Sequence, residues 1–475
     1  MKLNTYIKNN LSVGSATFSQ KFFSILSIFF ITNISGLSVY GNYVIISSLV
    51  SLLLGISSLG IGYNYMQKLS SSYDDKKEKL FFSQFFTNLI FVTIIIIIFL
   101  LLNKIFDFSL NGNENFFVAY FVSFFLSTQL TNFFRYNENF KTYSILLSLP
   151  NLFNCLFLFY FYCRNEALNL YDLITIISLS LIIQIFIATF LILKLIRFRF
   201  LFLTYKQLLN DIKNGLPFRL NFLLTTIINS SDRYVIMIFL GAKYVGIYSI
   251  LFTISSLILM IPSVMTTILQ PTLSRYKIEN NISYLKKYVY TSESVFFAIW
   301  TPFLIGGIFY FDRILSLFTA ENLPLNNIYI FIILVLSSLF NGLIIIRGNI
   351  YFAFTKTKKM LSPIFLSSLL NIALNILLIY LYKSIFFAAL SSLVSYFIAF
   401  SIFQYQTNRL FFIKFKILNI KKIVFSSLIM IAFSIFLDFI ILDETNVMFI
   451  LKILFSSMVY FLNMYILNGM KEWNF

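Results

Sequence analysis

The chain has 475 residues, 59% of them hydrophobic and only 11% charged, with a mean hydropathy of +0.86. That composition excludes an ordinary soluble domain and marks an all-α, polytopic membrane protein. The absence of histidine excludes His-centred general-base catalysis, Ser–His triads and His metal sites, and the net charge of +18 sits in short basic clusters between apolar segments, so no nucleic-acid partner is expected.

A hydrocarbon core about 30 Å thick needs roughly 20 apolar residues per helical span. In chain order, spans are expected at 12–34, 42–62, 80–102, 115–134, 144–163, 171–193, 216–239, 244–268, 289–311, 327–347, 361–382, 384–404, 422–442 and 447–467. No short h-region with a small-residue cleavage site precedes them, so the first segment is expected to stay as a span. Cys155 and Cys163 belong to the fifth segment, and two thiols at this spacing make no metal framework. We read them as apolar filler and expect neither metal nor cofactor. The stretch 194–215 mixes basic and aromatic residues, as in Arg197-Phe-Arg-Phe-Leu-Phe-Leu203. It suits a connector lying on anionic lipid headgroups.

The loops set the orientation. Of the 36 basic residues, 27 fall in alternate loops on one side, with clusters at Lys76, Lys77 and Lys79 and at Lys414, Lys416, Lys421 and Lys422; five fall in the opposite loops. By the positive-inside rule this makes the span number even and both termini cytoplasmic.

An internal repeat accompanies the alternation. Gly36-Leu-Ser-Val-Tyr-Gly41-Asn-Tyr43 opens the second span, and Gly241-Ala-Lys-Tyr-Val-Gly246-Ile-Tyr248 opens the eighth. Both read G-x4-G-x-Y on a tight outer-face turn. The repeat predicts two pseudo-symmetric six-helix lobes, 1–193 and 216–404, joined by the linker 194–215 and followed by two further helices in 405–475. Transporters built from such repeats hold substrate between the halves.

Charge inside a bilayer is costly and marks function. Helical spacing puts Lys21 on one face of the first span with Gly14, Thr17 and Ser24. In the seventh span Arg219, Thr226, Ser230 and Arg233 form a stripe with Asn229 at its edge. These two spans begin the two halves, so Lys21, Arg219 and Arg233 are the expected cationic substrate site. Thr17, Ser24, Thr226, Asn229, Ser230, Asp232 and Arg347 are its expected polar support. Each has a plainer reading as well: Lys21 as part of an interfacial N-terminal stretch, Arg219 as snorkelling to lipid phosphates, Asp232 and Arg233 as caps of an outer helix end, and Arg347 as an inside anchor. Glu293 and Asp438 are isolated acids near span ends and candidates for ion coupling. Lys452 suits an edge residue snorkelling outward. Asn341, Asn371 and Asn375 suit hydrogen bonds between helices.

No G-x-x-x-x-G-K-[ST] motif, large outer loop or filter-like repeat is present, which argues against an ATPase subunit, a glycan polymerase or a channel. On the glycine repeat, and on the block from Gly215-Leu-Pro-Phe-Arg219 through Asp232-Arg-Tyr-Val-Ile236 to Val245-Gly-Ile-Tyr-Ser249, the chain resembles Wzx-type flippases. These form the polysaccharide transporter branch of the multidrug/oligosaccharidyl-lipid/polysaccharide (MOP) exporter superfamily. The resemblance implies a MATE-like fold, no catalytic residues, and a location in the bacterial inner membrane. It implies movement of undecaprenyl-pyrophosphate-linked O-antigen or other surface-polysaccharide units to the periplasmic leaflet. It also implies H+ or Na+ as coupling ion, membrane lipids as surroundings, and a polysaccharide polymerase and chain-length regulator as partners. The alternatives are a cation-coupled multidrug exporter, a lipid II flippase and, in another class, a membrane glycan polymerase or ligase.

Overall fold

The computed structural model describes residues 3–57, 74–106, 114–137, 139–195, 205–278, 282–319, 327–354, 357–440, 445–467 and 469. Hydrocarbon offers no partner for backbone N–H and C=O groups, so apolar runs of this length satisfy themselves as helices. In order these are α1 (Leu3–Ser57), α2 (Asp74–Phe106), α3 (Glu114–Tyr136), α4 (Phe140–Arg164), α5 (Leu170–Leu195), α6 (Tyr205–Phe239) and α7 (Ala242–Ser256). A single 3₁₀ turn leads to α8 (Met260–Ile278), then α9 (Ile282–Phe309), the short α10 (Phe311–Phe318) and α11 (Asn327–Ala353). The series closes with α12 (Leu361–Tyr382), α13 (Ile385–Phe411), α14 (Ile420–Ile440) and α15 (Asn446–Ile466).

Twelve helical segments among the described residues are long and apolar enough to cross a membrane. The first of them, Ser12–Ser57, holds two expected spans, and α6 carries the seventh. Each of the fourteen expected spans therefore falls on helix over its described residues, apart from the single non-helical residues Tyr310, Ser384 and Leu467. The outer surface agrees with a lipid environment: Phe439, Ile238 and Tyr465 are 82%, 75% and 72% exposed. Buried positions hold many small polar residues, including Ser367, Ser391 and Ser395. Small side chains let helices approach closely where lipid gives no hydrophobic drive.

Helix ends follow local chemistry. The Asn139 side chain accepts from the Thr142 N–H at 3.3 Å to start α4, and Asn165 ends that helix in the left-handed region. Thr445 caps α15 by accepting from the Met448 N–H at 3.3 Å. Gly36 interrupts α1 at φ 80°, ψ 172°, and Gly241 turns the chain from α6 into α7 at φ 95°. Both are the first glycine of the repeat, at a backbone shape that side chains resist.

The chain packs as two compact units, Met1–Ile250 with Ser368–Ile385, and Leu251–Ser367 with Phe386–Phe475. In the first, α1 lies along α4 and touches α6, while α3 pairs with α5. Phe117, Phe121 and Phe125 form one core there; Phe81, Phe133 and Phe134 form another. In the second, α8 pairs with α11 and α14 with α15, and α9 packs on both α11 and α14. Trp300 donates to the Val335 carbonyl at 2.9 Å, and Tyr460 donates to the Ala298 carbonyl at 2.7 Å.

Candidate functional site

The repeat is a physical contact. A Cβ added to Gly41 would lie 1.9 Å from the Ala242 carbonyl oxygen, and one added to Gly246 would lie 2.2 Å from that of Leu37. Gly246 is the repeat equivalent of Gly41, and Ala242 that of Leu37, so the contact is reciprocal. The second half of α1 crosses the start of α7 with backbone on backbone, which only glycine permits at both positions.

The helices α1 and α6 pack together, and each carries one of the expected cations, Lys21 and Arg233. Lys21 is exposed and Arg233 is half-buried. Tyr234, the next residue, accepts a hydrogen bond from Ser48 at 2.9 Å, tying α6 to α1. The hydroxyls of Thr17, Thr226 and Ser230 donate to carbonyls one turn back at 2.7, 2.9 and 2.6 Å. Their oxygens keep acceptor capacity. Ser24 and Asn229 are half-buried in α1 and α6. Arg219 is in α6, but its side chain lies outside the described residues, as does the stretch 196–204 of the linker.

Asp232 occupies a different environment from its neighbour Arg233. It is fully buried and accepts hydrogen bonds from the Tyr248 hydroxyl and from Asn375 at 2.5 Å. Asn371 accepts from Ser231 at 2.5 Å and from Asn375 at 3.1 Å. The two asparagines thus bridge α6 to α12.

In the second unit, Arg347 and Glu293 are each other's partner. Both side chains are 0% exposed. The Arg347 Nε donates to Glu293 at 2.6 Å and a terminal nitrogen donates to the other carboxylate oxygen at 3.2 Å. Thr407 accepts at 2.7 Å, and the Lys414 carbonyl accepts at 3.4 Å. Phe400 and Phe415 cover the guanidinium at 5.6 and 5.8 Å. Arg347 is therefore enclosed rather than anchored at a water boundary. Lys452, expected to snorkel, is instead 2% exposed and pairs with Asp438 at 2.7 Å between α15 and α14.

Sequence reasoning misses a polar cavity in the first unit. A space of about 300 Å³ lies within the first unit among α1, α3, α4 and α5. Tyr43, Tyr120, Asn151, Asn154 and Gln184 are among its lining residues. Gln184 accepts from Ser127 and donates to Thr131, which ties α5 to α3. Polar residues spaced three to four apart along 120–132 and 143–154 carry the signal, but none is charged and each alone looks like ordinary interhelical bonding.

The profile of the family described as "Polysaccharide biosynthesis protein" matches residues 6–277, and that of MatE matches residues 217–377. No curated protein matches the chain. Among solved structures, the lipid II flippase MurJ in an inward closed conformation aligns with a TM-score of 0.75 at 18% identity, covering 95% of this chain and 97% of MurJ. The MATE multidrug transporter DinF-BH aligns with a TM-score of 0.63 at 17% identity, covering 87% and 98%. A MOP superfamily transporter from Pyrococcus furiosus aligns with a TM-score of 0.59 at 13% identity, covering 84% and 95%. These likenesses establish the MATE- and MurJ-like helical fold. With the polysaccharide biosynthesis profile spanning more than half of the sequence, the chain belongs to the polysaccharide biosynthesis protein family.

Proposed function

We propose that the protein is a lipid-linked oligosaccharide flippase. In this reading it carries undecaprenyl-pyrophosphate-linked repeat units of O-antigen or another surface polysaccharide from the cytoplasmic to the periplasmic leaflet of the bacterial inner membrane. Lobes 1–193 and 216–404 would alternate access, with 405–475 appended and both termini cytoplasmic. An H+ or Na+ gradient would supply the drive.

The observation that carries the reading is the placement of the cations Lys21 and Arg233 on two helices that pack together and begin the two halves of the repeat. Two cations on packed helices repel, and a bound polyanion relieves that repulsion. A pyrophosphate is such a ligand: Arg offers a two-pronged fork and Lys a point charge. A lobe movement would then carry the neutralised headgroup across. The glycine crossing at Gly41 and Gly246 lies on the face that the loop charges place outside, so release there requires the two turns to part.

Deletion of the gene, followed by gel analysis of surface polysaccharide and a sidedness assay for the lipid-linked intermediate, tests the reading. We expect loss of surface polymer and accumulation of the intermediate on the inner leaflet. Intact surface polymer with failed peptidoglycan synthesis would redirect the assignment to lipid II. A deletion that changes only drug sensitivity would redirect it to drug export.

A further inference from the structure

We propose that the cavity among α1, α3, α4 and α5 binds an uncharged saccharide ring, the sugar end of the headgroup whose phosphates meet Lys21 and Arg233. This inference rests on the flippase reading and adds the chemical class of the glycan.

Three features of the cavity point to sugar. First, its described lining carries amides, hydroxyls and aromatic rings but no Lys, Arg, Asp or Glu. An anion or a cation entering it would lose its hydration without a compensating charge. An apolar molecule would leave the amides unpaired. A sugar ring suits both demands, because its hydroxyls donate and accept while its C–H faces pack on aromatic rings.

Second, the site is built and partly unfilled. Gln184 is fixed between Ser127 and Thr131. Tyr43 from α1 and Tyr120 from α3 both line the cavity. The Asn154 amide nitrogen donates to Ser27 at 3.3 Å, while its carbonyl oxygen is buried with no hydrogen-bond partner among the described residues. Buried acceptors are nearly always paired. A hydroxyl of a bound sugar would supply the missing donor.

Third, size and position agree. The volume of about 300 Å³ is at the small end of ligand pockets, roughly 300–1,000 Å³. It accommodates one sugar residue better than a whole repeat unit. Gln20 lines the cavity and Lys21 is the next residue of α1, so a headgroup can place sugar and phosphate on one helical turn.

The test uses the full chain in lipid nanodiscs without sugar-based detergent. Saturation-transfer NMR would be recorded with methyl N-acetylglucosaminide, methyl galactoside and methyl glucuronide. We expect transfer to at least one neutral glycoside and none to the glucuronide. Asn154→Leu and Gln184→Leu should each weaken the neutral signal about five- to tenfold, the scale of one lost hydrogen bond. Tyr120→Phe removes only a hydroxyl and guards against misfolding; it should weaken binding in the same direction. No transfer from any neutral glycoside, equal transfer to the glucuronide, or indifference to all three substitutions overturns the proposal. A parallel vesicle assay follows polyprenyl-pyrophosphate with and without attached sugar. The cavity variants should slow only the glycosylated carrier, and Lys21→Ala should slow both. A wild type that moves neither carrier would overturn the flippase reading, whereas glycoside binding still decides the cavity.

Discussion

In the second unit, Arg347 and Glu293 face one another in a fully buried pair, and Thr407, Lys414 and two phenyl rings complete the enclosure. In the first unit, Lys21 and Arg233 are charges of one sign on two packed helices. The first arrangement joins opposite charges into a closed pair; the second sets like charges on two packed helices, an arrangement that a bound anion would favour. A charged residue in a span therefore does not by itself locate a binding site. The sign and arrangement of the charges around it decide.

The steepest loss should come from the enclosed pair. Glu293→Gln leaves the Arg347 guanidinium buried and uncompensated, a loss of about 3–5 kcal/mol. The melting temperature in nanodiscs should fall steeply. A Glu293→Met, Arg347→Met double variant should recover most of that loss, because removing both charges also removes their desolvation cost. A double variant as unstable as the single would show that the site needs its charges for more than mutual balance.

Next in size is the glycine crossing. Gly41→Val and Gly246→Val each force a branched side chain against a carbonyl, at a cost of about 1–3 kcal/mol or more. Since both contacts belong to one crossing, the double variant should lose less than the sum of the singles. Additive losses would mean that the two contacts are independent.

The cationic pair should show a third pattern, with transport and stability moving apart. Lys21→Ala should cut surface polysaccharide about tenfold, the loss of one charge-assisted contact of about 1.5–3 kcal/mol. Its melting temperature should hold. Lys21→Glu should transport worse than Lys21→Ala, yet melt no lower, since it removes the repulsion with Arg233. Arg233→Lys should keep part of the activity, and Arg219→Ala should reduce it. If Gln at positions 21, 219 and 233 supports as much transport as a basic residue, the electrostatic site is excluded.

The mildest change is expected at the thiols. Cys163 is exposed and Cys155 buried. Changing both to Ser should leave transport intact, with a stability change at Cys163 within about 0.5 kcal/mol. Loss of transport at a normal protein level would give the thiols a role that neither charged region has.

Much of this is readable in order along the chain. Lipid imposes one strong rule, that apolar runs become helices, so the span positions and the break at Gly36 are accessible from composition and spacing. The Gly36–Tyr43 and Gly241–Tyr248 match is also readable, because glycine is required wherever φ is positive or backbones touch. Partner choice is less accessible. Glu293 and Arg347 are 54 residues apart, and helical periodicity assigns each a face without saying which helix that face meets.

Local chemistry along the chain is enough for a many-spanned helical protein, its glycine repeat, and the positive polar stripes on the first and seventh spans. Those features arise from hydrophobic length, backbone strain and residue spacing within one helix. Packing in three dimensions is needed to close Arg347 on Glu293, to pair Lys452 with Asp438 instead of letting it reach outward, and to seat Gly41 on Ala242. Packing also gathers neutral residues from α1, α3, α4 and α5 around one cavity. A charge announces its cost in any single helix, whereas amides, hydroxyls and rings become a site only when neighbouring helices turn them toward the same space.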